Sequence, residues 1–252
     1  GFGIMIFIIA QKELKVLFGS PLAWILLALV QLVLTWVFVA HLDTFLQIQP
    51  QLVKIVNPPG ITEAIIAPVF AMAAIVLLMA TPLLTARLVA EERRNHTMTF
   101  LISAPISMTD IVLGKFLSLM IFFSAVIALI VALSISLLVG GTLDFGLLLS
   151  NVAGLFLISA CFASLGLYIS CISAHPGTAA AGTLGALLVF WVIDIAAGDD
   201  KDGITRNFAL LGHYENFNRG VIDTFDLTYF SLFVLVFLVL SVRRLDGERL
   251  RG

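Results

Sequence analysis

Side chains that could hold a metal or attack a substrate are few in this chain, and their spacing works against both. The histidines His41, His96, His175 and His213 fall in four separate connections between apolar runs. A metal centre needs several such ligands converging on one ion, from local patterns such as H-E-x-x-H, and no such pattern occurs; no metal site is expected. Cys161 and Cys171 stand ten residues apart in one apolar run. That is about 15 Å along a helix, too far for a disulfide between them, so both read as packing residues. Serines are frequent in the apolar runs, where they usually bond back to their own helix or join neighbouring helices. No inward histidine or lysine stands ready to activate one, which leaves an intramembrane hydrolase only a residual reading. There is no G-x-x-x-x-G-K-S/T loop to cradle nucleotide phosphates, so the chain by itself is no ATPase of that kind.

The elements that carry these residues belong to a membrane. Of 252 residues, 60% are hydrophobic and 12% charged, with a mean hydropathy of +1.10, far outside the composition of a soluble domain. Six runs are long enough to cross a hydrocarbon core of about 30 Å, which takes roughly 20 helical residues. They cover residues 21–40, 64–87, 111–139, 145–173, 178–197 and 227–242 of a single domain, 1–252. Ahead of them, residues 1–19 are apolar and then carry Lys12, Glu13 and Lys15. This reads as an interfacial helix lying along the membrane, with a tilted seventh span as the alternative, and no removable signal peptide is expected.

Basic residues alternate unevenly between the two sides. One side takes Lys12, Lys15, Arg87, Arg93, Arg94, Lys115, Arg243, Arg244, Arg249 and Arg251, and the other takes Lys54, Lys201, Arg206 and Arg219. The positive-inside rule makes the first side cytoplasmic, with both termini inside. Asp199, Asp200, Asp202, Glu215, Asp223 and Asp226 gather in the opposite loop before the last span.

Ion-coupled transporters and channels place ionisable groups near the bilayer midplane. Here the mid-span polar residues are groups such as Gln31, Thr35, Ser118, Ser124 and Ser134. If the protein moves anything, its energy must come from a partner at the cytoplasmic face.

Residues 91–107, EERRNHTMTFLISAPIS, are the densest charged cluster between two long apolar stretches. Asn95, Met98 and Ile102, with Leu101 beside them, recur at helical spacing, and Glu91, Glu92, Arg93 and Arg94 supply a polar start. A cytosolic helix over residues 91–102 is expected, ended by Pro105, which holds Ala104 extended. Ser107 and Asp110 then form a capping-box pattern opening the third span. An ordinary loop whose charges only fix topology is the competing reading.

With these residues at the end of the second run, the chain resembles ABC-2-type transporter permeases. Their cytosolic signature runs E-x-K/R-x-x-G-T, a hydrophobic stretch, then x-P-V/I-S, and Glu92, Arg94, Thr97, Met98, Leu101, Ile102, Pro105, Ile106 and Ser107 fit it. His96 stands where the family commonly has glycine, and Thr99 where an acidic residue is frequent. The opening KELKVLFGSPLAW is similar to the family's membrane-entry helix, and HYENFNRGVIDTFDLTYF is similar to a stretch of the gliding-motility-type subgroup.

The resemblance implies an all-α membrane fold of six spans with an N-terminal elbow helix, of the ABC-2 or type V exporter kind, in a bacterial cytoplasmic membrane. It implies pairing with a second copy or a related permease chain, and with two soluble ATPase subunits. ATP and magnesium would sit in those subunits, and no cofactor in this chain. Glu91, Glu92, Arg93, Arg94, Thr97, Met98, Leu101, Ile102 and Pro105 would dock the ATPase. His175 and Pro176 would add a weaker contact, unless they only make a tight turn. Thr178, Gly182, Gly185 and Ala186 form a small-residue stripe suited to a dimer seam, or to packing within the subunit. The loop over residues 198–226 would fold into short helices that close the outer exit, with Phe208, Tyr214, Phe217 and Arg219 as gate residues. A lipid-linked or amphipathic cargo, force transmission to an outer accessory protein, and a non-transport scaffold are the functional readings left open. No nucleic-acid partner is expected.

Overall fold

A computed structural model of the chain describes residues 2–198 and 207–251, and among these there is no strand. The helices are α1 (Phe2–Gly19), α2 (Pro21–Leu52), α3 (Ala67–Thr85, entered through a π-type turn at Thr62–Ile66), α4 (Ala90–Arg94), α5 (Met98–Ser103), α6 (Met108–Ser136), α7 (Phe145–Ile172), α8 (Pro176–Ala197), α9 (Leu210–Asn218) and α10 (Thr224–Arg251). Among the described residues, six helices are long and apolar enough to cross a membrane, and α1, with its three charges, is not one of them.

α7 is the axis of the bundle. Its apolar window is 72% buried inside the molecule, against 17% for α8 and for α10, so the latter two, with α2, form the periphery. Small residues on α7, among them Gly154, Ala160, Ala163 and Gly166, let α3, α9 and α10 come close. Where apolar packing gains little over lipid, such close approach is what holds helices together. Cys161 and Cys171 are buried in this packing, as expected of packing residues. Hydroxyls bond back along their own helices, as Thr81 Oγ1 to the Leu77 carbonyl (2.6 Å) and Ser159 Oγ to the Leu155 carbonyl (2.6 Å).

Several expected bounds shift. α2 runs on to Leu52, twelve residues beyond the expected end at Ala40, because polar residues such as His41, Asp43 and Gln47 bond within the helix and do not end it. α10 extends from Thr224 to Arg251 rather than over 227–242. The helix expected over residues 91–102 is two short helices, α4 and α5. The break lies at His96, whose φ of 56° is in the left-handed region, so the apolar ridge through Asn95, Met98 and Ile102 does not form as one helical face.

α1 lies across α6. A Cβ placed on Gly114 would come within 2.7 Å of Ile9 Cβ and 3.1 Å of the Ile6 carbonyl, so only glycine allows this crossing. Of the loop expected over residues 198–226, residues 199–206 lie outside the described residues, and with them Asp199, Asp200, Lys201, Asp202 and Arg206.

Candidate functional site

α4 follows α3 after one turn, and its first amide groups need partners from elsewhere. Ser170 of α7 supplies them: its Oγ accepts from the Val89 and Ala90 amides, each at 3.1 Å, and donates to the Ala86 carbonyl at 3.3 Å. Ala86 and Ala90 also pack against Ala179 on α8. Because Ala179 follows His175 and Pro176 by one turn, the structure places both expected coupling segments side by side.

The charged residues then split by role. Arg93 turns inward: its guanidinium donates to the Ser173 (2.5 Å) and Cys171 (2.8 Å) carbonyls at the end of α7, and to both Glu248 carboxylate oxygens on α10 (2.8 and 2.9 Å). Glu92 faces the other way, toward Lys115. The Lys115 ammonium, with a side chain 1% exposed, donates to Glu92 Oε1 (3.1 Å), Glu13 Oε1 of α1 (2.9 Å) and the Leu88 carbonyl (2.6 Å). All three of its donors are thereby used. Lys12 reaches the same two carboxylates, each at 3.3 Å. Burial tends to lower the Lys12 pKa, but the carboxylates of Glu13 and Glu92 outweigh it and raise the value above 10.5. A raised amine pKa contributes stability below its ordinary value and loses it only as pH climbs past the raised one, so this contact persists through neutral pH.

Arg94 is exposed and Glu91 half-buried, 3.9 Å apart. Thr97 closes the turn, its amide and hydroxyl both donating to the Glu92 carbonyl at 3.0 and 3.1 Å. Met98 is buried, and Leu101 and Ile102 pack partly against the core. Pro105 is exposed after an extended Ala104, with ψ of 146°. Ser107 Oγ accepts from the Asp110 amide at 3.0 Å, but Asp110 returns to the hydroxyl (2.7 Å) and not to the Ser107 amide, so half of the expected capping box forms. Phe100, in the middle of α5, is 77% exposed.

Sequence reasoning counted Lys115 only as a topological charge and did not single out Glu13, Glu248 or Ser170. A lysine eight residues into a helix that begins at Met108, in otherwise apolar surroundings, was the one available signal.

At the opposite end, α9 is held by four other helices. Asp194 of α8 accepts from the Leu211 and Gly212 amides, both at 3.0 Å, and so caps α9, whose own N-cap residue Ala209 makes no such bond. Tyr214 Oη donates to the Phe70 carbonyl of α3 (2.7 Å), and Ser150 Oγ of α7 donates to the Phe217 carbonyl (2.7 Å). On α10, Asp226 meets His213 Nδ1 at 2.5 Å and Asn216 Nδ2 at 2.8 Å. Burial pushes the Tyr214 phenol well above its ordinary range. Phe217 seats against Gly154, about 13 Å along α7 from its start at the usual helical rise. Of the other two expected gate residues, Phe208 is exposed, and Arg219 pairs on the surface with Glu215. Gly220, at φ 82°, ends α9, with the Val221 amide returning to the Asn216 carbonyl at 2.9 Å, a Schellman stop.

On α8 the inward row is Ala179, Thr183 and Leu187. Of the small-residue stripe beside it, Thr178, Gly182 and Gly185 are exposed, although a Cβ on Gly182 would lie 3.1 Å from Ile169 of α7, and Ala186 packs partly on the core. The structure thus divides the stripe between the subunit's own packing and its outer face.

No curated protein matches the chain. A family model described as ABC-2 family transporter protein matches residues 7–248, which takes in all six apolar helices, the α4–α5 turn and most of α1. The chain is a multi-pass membrane protein that belongs to the ABC-2 transporter family.

Proposed function

We propose that this chain is the transmembrane subunit of an ATP-binding-cassette transporter, driven by a separate ATPase that docks on the α4–α5 turn. The observation that carries this reading is the wiring of that turn. Glu92 joins it to α1 and α6 through Lys115, and Arg93 joins it to α7 and α10. A push on such a segment is delivered to four helices at once. A docking surface needs an outward face as well, and Arg94, His96 and Phe100 are exposed there. Motion would be of the hinge and shear kind, relayed from α4 to the bundle, with α9 as the gate at the far end and Thr178 and Gly185 of α8 facing a second permease chain.

Topology follows from this reading: both termini and the α4–α5 turn lie in the cytoplasm of a bacterial cell. ATP and magnesium belong to the ATPase, two copies per transporter. The cargo class is lipid-linked or amphipathic, which suits the uncharged walls of the spans. Kinship with the gliding-motility-type subgroup rests on the stretch before α10 and would favour transmission of force to an outer accessory protein.

Co-purification of the chain with the products of neighbouring genes, followed by ATPase assay, tests the reading. An ATP-binding-cassette subunit is expected to co-elute, and Phe100→Asp with Arg94→Glu is expected to release it without unfolding the permease. A chain that elutes with no such subunit would leave a non-transport scaffold as the better reading, and a double variant that retains the subunit fully would move the docking face away from Phe100 and Arg94.

A further inference from the structure

Between α1, the start of α2, the end of α3 and the α4–α5 turn lies a groove of about 670 Å³. It is two-natured. Val16 and Leu83, 61% and 46% exposed, give it apolar walls, and Arg87, Ser20 and Glu91 line its polar part. Ser20 precedes α2 and Arg87 follows α3, so the groove lies at one end of two spans. Trp24, one turn into α2, is 59% exposed and donates its indole N–H to the Phe18 carbonyl at 2.8 Å, as a side chain does at the membrane boundary. The groove is therefore at headgroup depth and opens onto lipid-facing surface.

Its charges favour one kind of occupant. Glu13 and Glu92 are taken up by Lys12 and Lys115. Arg87 has no carboxylate within ion-pairing distance among the described residues; its guanidinium donates one long hydrogen bond, 3.5 Å, to Ser20 Oγ. Glu91 has only the distant Arg94. Arg87 and Glu91 are thus the groove's charges without a short ion pair, and a cation beside a carboxylate complements a zwitterion better than an anion. We propose that the groove holds a phosphatidylethanolamine molecule, its phosphate on Arg87 and Ser20, its ammonium on Glu91 and its acyl chains along Val16 and Leu83. A guanidinium suits a phosphate because it donates two parallel hydrogen bonds. An ammonium, unlike the quaternary amine of phosphatidylcholine, can donate to a carboxylate. This inference depends on the chain's place in a bilayer and not on the identity of the ATPase.

The test is native mass spectrometry of the detergent-purified chain with equal additions of phosphatidylethanolamine, phosphatidylglycerol and phosphatidylcholine. Wild-type protein is expected to retain phosphatidylethanolamine about tenfold over either competitor, the factor given by one charge-assisted hydrogen bond at the weak end of its range. Arg87→Ala is expected to lose retention of all three lipids and Arg87→Lys to keep most of it. Glu91→Gln, an isosteric change in the groove wall, is expected to keep binding and lose the preference. Equal retention of the three lipids by wild type, or an unchanged preference in Glu91→Gln, overturns the proposal. So does a photo-crosslinker at Val16 that captures a protein chain in native membranes in place of a lipid.

Discussion

Lys115 is the residue on which the candidate coupling site turns. A buried ammonium is costly unless its charge is paired and its donors are used, and here Glu13, Glu92 and the Leu88 carbonyl do both. Lys115→Met leaves two inward carboxylates with only the exposed Lys12, so it is expected to destabilise the protein by about 3–5 kcal/mol, read as a lowered midpoint in denaturant unfolding. His96 makes a second point at this scale. The family's usual glycine at this position has a physical reason: φ of 56° strains an ordinary side chain, and histidine is among the few that tolerate it. His96→Gly is expected to leave thermal stability unchanged or higher, while His96→Val is expected to cost about 1–3 kcal/mol. Equal melting temperatures for the two variants would contradict the assigned backbone.

Among the elements, α1 and α4 depend on neighbours for their placement. α1 meets α6 at Gly114, and the Cβ of Gly114→Ala would overlap Ile9. Overpacking of this kind costs about 1–3 kcal/mol, and it should separate α1 from α6 and with it Glu13 from Lys115. Faster proteolysis or labelling at Lys15 in Gly114→Ala than in wild type is the expected readout. α4, five residues long, has too few internal bonds to persist alone. Its order comes from Ser170 at one end and Arg93 at the other. Ser170→Ala with Arg93→Ala is therefore expected to raise hydrogen exchange across residues 86–97 and leave α7 protected.

For the whole molecule, the buried axis of α7 and the thinly covered α2, α8 and α10 leave broad apolar faces for lipid or a second chain. The two are distinguishable on α8. In a background of Cys161→Ala and Cys171→Ala, Thr178→Cys and Gly185→Cys are expected to cross-link between copies in membranes, and the inward Leu187→Cys is not. Absence of any cross-link from both exposed positions would move the dimer seam away from α8.

Hydropathy alone was enough to find six spans, their order and the helical class, because a run of roughly 20 apolar residues has few other homes than a bilayer. The break before Pro105 and the start of α6 after Ser107 were also legible, since proline and an N-cap hydroxyl act on their immediate neighbours. The division of the 91–102 segment into α4 and α5 was not, because helical spacing does not report a single left-handed residue. Nor was the direction in which each charge points. Arg93 and Arg94 are adjacent in sequence, yet one is fastened to Glu248, 155 positions away, and the other is on the surface. The partners of Lys115, Arg93 and Asp194 lie on other helices, and only the packing of α1, α6, α7, α9 and α10 brings them within hydrogen-bond distance.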